Sequence, residues 1–139
     1  MKLFKSALLV GSVLFTVCTA AAEISANVAL ATDYRFRGIS QSDGEAISGG
    51  LDVNFEHGVY LGAWGSSIED WGNGLELDYY LGYSTDISDA LSIDVGYLYY
   101  GYPNAADDLD FEELYASVSF AEFTLGATYS DDYFAGTGS

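Results

Sequence analysis

Between Asn27 and Tyr129, apolar and polar side chains alternate one by one through seven successive segments. A period of two is the pattern of a β-strand with two unlike faces, and no helix can use it. In Asn27 to Arg37, Val28, Leu30, Thr32, Tyr34 and Phe36 fall on one face, and Asn27, Asp33, Arg35 and Arg37 on the other. In Ile47 to Glu56, Ile47, Leu51, Val53 and Phe55 oppose Ser48, Asp52, Asn54 and Glu56. His57-Gly58 reads as a two-residue hairpin turn, which pairs Glu56 with Val59. That register puts Tyr60, Gly62, Trp64, Ser66 and Ile68 on the apolar face.

The fourth segment, Leu75 to Ser84, sets Leu75, Leu77, Tyr79, Leu81 and Tyr83 against Glu76, Asp78, Tyr80, Gly82 and Ser84. Leu91 to Tyr102 sets Leu91, Ile93, Val95, Tyr97 and Tyr99 against Ser92, Asp94, Gly96 and Tyr100. Glu112 to Phe120 sets Leu114, Ala116, Val118 and Phe120 against Glu113, Tyr115, Ser117 and Ser119, and a tight turn at Ala121-Glu122 starts a seventh strand at Phe123. The connections Gly38 to Ala46, Glu69 to Gly74 and Pro103 to Asp110 are longer and polar, and Thr85 to Ala90 is intermediate.

Short turns on one side and longer loops on the other are the habit of outer-membrane barrels, whose short turns are periplasmic. Apolar-face aromatics gather at both strand ends, as two interfacial girdles would: Phe55, Tyr60, Tyr83, Phe120 and Phe123 toward the tight turns, Tyr34, Phe36, Tyr97 and Tyr99 toward the long loops. A secreted β-sandwich also alternates, but its exposed face usually carries lysine, and its edges are blunted by lysine or proline. Here the polar face is acidic and rich in glycine and serine, and it lacks lysine. The expected fold is therefore all-β, an antiparallel transmembrane β-barrel.

Residues 1–22 read as a cleaved secretory signal peptide of a Gram-negative bacterium, with Lys2 and Lys5 before an apolar run from Ala7 to Val17 and Ala20-Ala21-Ala22 at the cut. Cys18 lies inside this leader, and Phe15-Thr16-Val17 before it is not a lipoprotein signal. Residues 23–139 form one barrel domain. They carry 21 acidic residues against Arg35 and Arg37 alone, which excludes nucleic acid as a partner. No mature segment approaches the ~18 consecutive apolar residues of a membrane helix. Seven strands is an odd count, and single-chain bacterial barrels are even. The chain is thus expected to be the N-terminal portion of a longer barrel.

The run NVALATDYRFRGISQSDGEAISGG, with HGVYLGAWGSSIE, LELDYYLGYS and GYLYYGYP, resembles the TorF-like family of outer-membrane porin-like proteins of unknown function, over nearly all of Asn27 to Tyr129. The resemblance implies a signal peptide and a single barrel domain, and brings no catalytic residue or substrate.

The residues themselves suggest no enzyme, catalytic residue, cofactor or metal site. His57 is the only histidine and reads as a turn residue, with no nucleophile placed beside it. Asp107 to Glu113 lacks the glycine and spacing of an EF-hand and reads as a solvated acidic loop, open to divalent ions that bridge to lipopolysaccharide. The polar face carries the functional expectation. Asp33, Arg35, Arg37, Asp52, Asn54, Glu56, Glu76, Asp78, Asp94 and Glu113 are expected to line a lumen. A wall of carboxylates concentrates cations. The expected function is a weakly cation-preferring porin for small hydrophilic solutes, held in outer-membrane lipid. The alternative is a barrel that conducts nothing, its lumen filled by Tyr80, Tyr100, Tyr102 and Tyr115, with a structural or surface-binding role. The solute, the total strand number and any homo-oligomer are left open.

Overall fold

The computed structural model describes residues 11–19, 21–69 and 74–133. They form ten strands and no helix. In chain order these are β1 (Gly11–Cys18), β2 (Ala22–Ala31), β3 (Arg35–Phe36), β4 (Ile39–Ser40), β5 (Ala46–Phe55), β6 (Val59–Ser66), β7 (Glu76–Ser88), β8 (Leu91–Gly101), β9 (Phe111–Phe120) and β10 (Phe123–Tyr129). Eight of them make one antiparallel meander in the order β1-β2-β5-β6-β7-β8-β9-β10, and β3 and β4 form a separate small hairpin. The all-β, antiparallel expectation is met. Among the described residues β1 and β10 do not pair, so the sheet is open. β1 falls within the segment read as leader, and all eight of its residues are exposed.

Neighbouring strands place like faces together, as the pleat requires. Val53, Leu61, Leu81, Tyr97, Leu114 and Tyr129 form one continuous cross-strand row on the apolar face. Among the described residues nothing covers this face. Leu81 is 56% and Leu114 58% exposed, whereas Glu76 and Glu113 on the opposite face are 2% and 3% exposed. That is the inverse of a sheet folded on its own in water, where apolar area is what leaves the solvent.

Three local expectations are corrected. The β5–β6 turn has three residues, Glu56, His57 and Gly58, because Asn54 pairs with Tyr60 and Val53 with Leu61. Gly58 takes φ 86° and donates its N–H to the Phe55 carbonyl at 3.0 Å, the left-handed closure of a three-residue loop. A slip of one residue exchanges the two faces of a strand. Tyr60, Gly62, Trp64 and Ser66 therefore share the polar face with Asp52, and Glu56 sits in the turn instead of on a wall.

The first strand ends at Ala31 and not at Arg37. The chain leaves the sheet and folds back on itself at Arg37-Gly38, whose φ values of 49° and 88° are those of a tight two-residue turn. Arg35 pairs with Ser40 and Phe36 with Ile39, and the Gln41 N–H bonds the Tyr34 carbonyl at 2.7 Å. Alternation continued past Ala31 because the hairpin arm is extended too. Its hydrogen bonds simply go to itself. Tyr34 and Phe36 accordingly leave the apolar face, where Tyr79 stands with Tyr99, ring centroids 6.4 Å apart.

The intermediate connection is also tight. β7 runs on to Ser88, and a bulge between Asp86 and Ser88 lets Asp89-Ala90 close the hairpin. The turns Glu56–Gly58, Asp89–Ala90 and Ala121–Glu122 thus share one end of the sheet, and residues 32–45, 67–75 and 102–110 connect strands at the other.

Candidate functional site

The polar face is organised by tyrosines laid across glycines. Tyr60, Gly82, Gly96 and Tyr115 form one cross-strand row. A Cβ at Gly82 would run into the Tyr60 ring, and one at Gly96 into the Tyr115 ring, so each ring lies flat on its glycine. The two hydroxyls meet at 2.6 Å over the middle of the row, and Tyr60 also donates to Asp94 Oδ1 at 2.6 Å. One row away, Tyr80 crosses Gly62 on β6 and donates to Asp52 Oδ1 on β5. The tyrosines therefore hold these carboxylates by short, charge-assisted bonds. Rings flat on the wall also project less into the space in front of it than upright rings.

Toward the long loops the face closes into a packed cluster. Tyr100 and Phe111 stack at 4.3 Å, Phe36 meets Tyr100 edge-on at 5.6 Å, and Tyr34 meets Trp64 at 5.3 Å. Tyr34 donates to Glu76 Oε1 at 2.8 Å. Arg37 donates through Nη2 to Glu113 Oε1 at 2.6 Å, and Tyr100 reaches Glu113 Oε2 at 3.3 Å. The Arg37 guanidinium also lies over the rings of Phe36 and Tyr133, at 4.8 and 5.2 Å. Burial beside Glu76 pushes the Tyr34 phenol up, so it remains a donor through the neutral range.

The ten residues expected on a lumen wall separate into four groups. Asp52, Asp94, Glu76 and Glu113 lie on the polar face, each on a tyrosine hydroxyl. Asp78 lies there too, 7% exposed, with its Oδ1 buried and without a hydrogen-bond partner. Asn54 and Glu56 sit exposed at the tight-turn end. Asp33, Arg35 and Arg37 belong to the segment that folds over the face. Arg35 is 63% exposed and pairs with Asp33 at 2.6 Å. The Ser40 hydroxyl holds the Asp33 carboxyl below its usual value, and the Arg35 charge adds to this against desolvation.

The Asp107 to Glu113 segment gathers no metal site: among the described residues no group of three or more His, Cys, Asp or Glu is placed to hold an ion. Asp110 is used internally, accepting from Tyr99 and from the Tyr102 N–H. His57 lies exposed in the β5–β6 turn.

Asp78 supports a direct prediction. It follows Glu76 by two residues on the same face, and its free oxygen is withheld from water. Asp78→Asn keeps the shape and cannot ionise, so at alkaline pH, where Asp78 would have to carry a buried charge beside Glu76, stability should rise by about 1 kcal/mol. Urea unfolding of the purified protein measures this, and a loss of stability would mean that Asp78 has a partner the geometry does not reveal.

Tyr34, Phe36, Tyr60 and Trp64 are site residues that sequence reasoning put on the apolar face, and one signal was available for Tyr60. The triplet Tyr60-Leu61-Gly62 recurs as Tyr80-Leu81-Gly82. Antiparallel pairing of the two puts each tyrosine on the other's glycine and thereby selects the observed register.

The fold and this face define a class: an antiparallel β-meander with one uncovered apolar face and one acidic, tyrosine-braced face. The chain belongs to the family described as bacterial proteins of unknown function, Gcw_chp, whose model matches residues 16–138. No curated protein and no solved structure gives a significant match.

Proposed function

We propose that this chain is part of an outer-membrane β-barrel of porin-like function, its acidic face lining a weakly cation-preferring path for small hydrophilic solutes. One observation carries the reading: apolar side chains stand exposed along every strand of the sheet while carboxylates of the other face are buried. Lipid is the solvent that makes such an arrangement favourable, because it takes the apolar face and forces polar groups inward.

Strand length agrees. β5, β8 and β9 have 10, 11 and 10 residues, matching the roughly 9–11 of a tilted membrane strand. Cleavage before Glu23 would remove β1 and leave β2 as the edge, available for pairing. Resemblance to TorF-like porins points the same way, and lipopolysaccharide is the partner such a barrel would meet at its loop end.

A second reading, a barrel that does not conduct, draws on the packed cluster of Tyr100, Tyr102, Phe111 and Ile68 at the loop end. Planar-bilayer recording separates the two. The porin reading expects conductance with a reversal potential toward the cation equilibrium value, moving toward zero selectivity in Asp52→Asn/Asp94→Asn. Anion preference, or silence of the purified full-length protein at high protein load, would overturn it.

A further inference from the structure

The segment between β2 and β5 does more than connect neighbouring strands. It is rooted on β2, yet Tyr34 bonds Glu76 on β7 and Arg37 bonds Glu113 on β9. β9 is five places from β2 in the sheet order, about 24 Å along a flat sheet at the usual strand spacing. The hairpin thus lies across the polar face at its loop end, over the row that contains Trp64, Asp78, Tyr100 and Phe111.

Its attachments are of distinct kinds. Phe36 sets its ring against Tyr100, and Arg37 closes an ion pair whose Glu113 end is 4% exposed. The hairpin also carries bonds of its own. β3 and β4 pair with each other, and Asp33 is satisfied by Ser40 and Arg35 within the segment. A unit joined within itself, and fixed to the rest of the chain by the Arg37 ion pair, the ring contacts of Phe36 with Tyr100 and Tyr34 with Trp64, the Tyr34 hydroxyl and a backbone hydrogen bond from the Glu69 N–H to the Gln41 carbonyl at 2.8 Å, can leave as a body while the sheet keeps its ladder.

We infer that residues 32–45 form a latch that closes the loop end of the polar face, with Arg37–Glu113 as its catch. For conduction the inference rests on the porin-like reading: the closed latch narrows the path, and release widens it. The seat itself stands apart from that reading.

The chain carries its own reporter. After Lys5, Arg35 and Arg37 are the only sites for trypsin, and both lie in the hairpin. In the folded protein held in detergent micelles, cleavage after Arg35 and Arg37, read from the fragments released, should be slow when the latch is seated. Glu113→Gln, which weakens the catch and keeps both arginines, should be cut at least about tenfold faster. Phe36→Ala, which removes the ring contact without stranding a charge, should behave alike and serves if Glu113→Gln does not fold. Both variants should also raise single-channel conductance severalfold.

Wild-type cleavage rates in variants that keep the folded, heat-modifiable migration would overturn the latch. Faster cleavage with wild-type conductance would overturn its control of the path. If neither the wild type nor any variant conducts, the porin-like reading fails, and the trypsin rates still decide whether the latch exists.

Discussion

Gly58→Val should be the most damaging single substitution in the chain, with a stability loss of at least about 3 kcal/mol. Two costs coincide at this position. The residue holds φ 86°, a backbone conformation that a β-branched side chain resists. A Cβ there would also run into the Ser84 carbonyl oxygen, and the Ser84 N–H is already bonded to the Gly58 carbonyl at 2.9 Å. Backbone cannot rotate out of the way as a side chain can.

Gly38 provides the control that separates these costs. It has a similar φ of 88°, but a Cβ there meets nothing within 4 Å. Gly38→Ala should therefore carry the conformational cost alone, about 1 kcal/mol. Urea midpoints in micelles compare the two. Equal losses would mean that the close approach of Ser84 to the turn contributes nothing, and with it the reason for a three-residue turn at this place.

Leu81→Arg is the second large effect, and it reads the surroundings of the apolar face. Leu81 stands near the middle of the 13-residue β7, between Leu61 and Tyr97. In water an arginine at so exposed a site should change stability by less than about 0.5 kcal/mol. At the midplane of a bilayer it should cost about 2–4 kcal/mol, and near the interface about 0–1. Phe123, next to the Ala121–Glu122 turn, would be its interfacial counterpart in a bilayer. Unfolding in lipid vesicles should show a large loss for Leu81→Arg and a small one for Phe123→Arg. Small, equal losses at both positions would remove lipid from the description of this face.

Alternation in sequence was a reliable guide wherever a strand was bounded by plain turn signals. The faces of β7, β8 and β9 and the Ala121-Glu122 turn are as expected. Its failures came from counts of one or two residues. His57-Gly58 looks sufficient for a hairpin, and it is the pairing of Asn54 with Tyr60 that brings Glu56 into the turn. Arg35 and Arg37 kept the period of β2 while belonging to another element. Asp52, Asp94, Glu76 and Glu113 were legible as polar-face residues, but most of their tyrosine partners were not, since Tyr80 and Tyr60 each reach over an intervening strand and Tyr34 comes from the hairpin segment.

By itself the sequence determined that this chain makes two-faced antiparallel strands, acidic on one side and apolar on the other, because period and polarity are local properties. Tertiary structure alone decided the folding of Arg37 onto Glu113 and which carboxylate each tyrosine reaches. Those outcomes depend on which strand lies beside which, and on side chains brought together from distant parts of the chain, neither of which a period of two encodes.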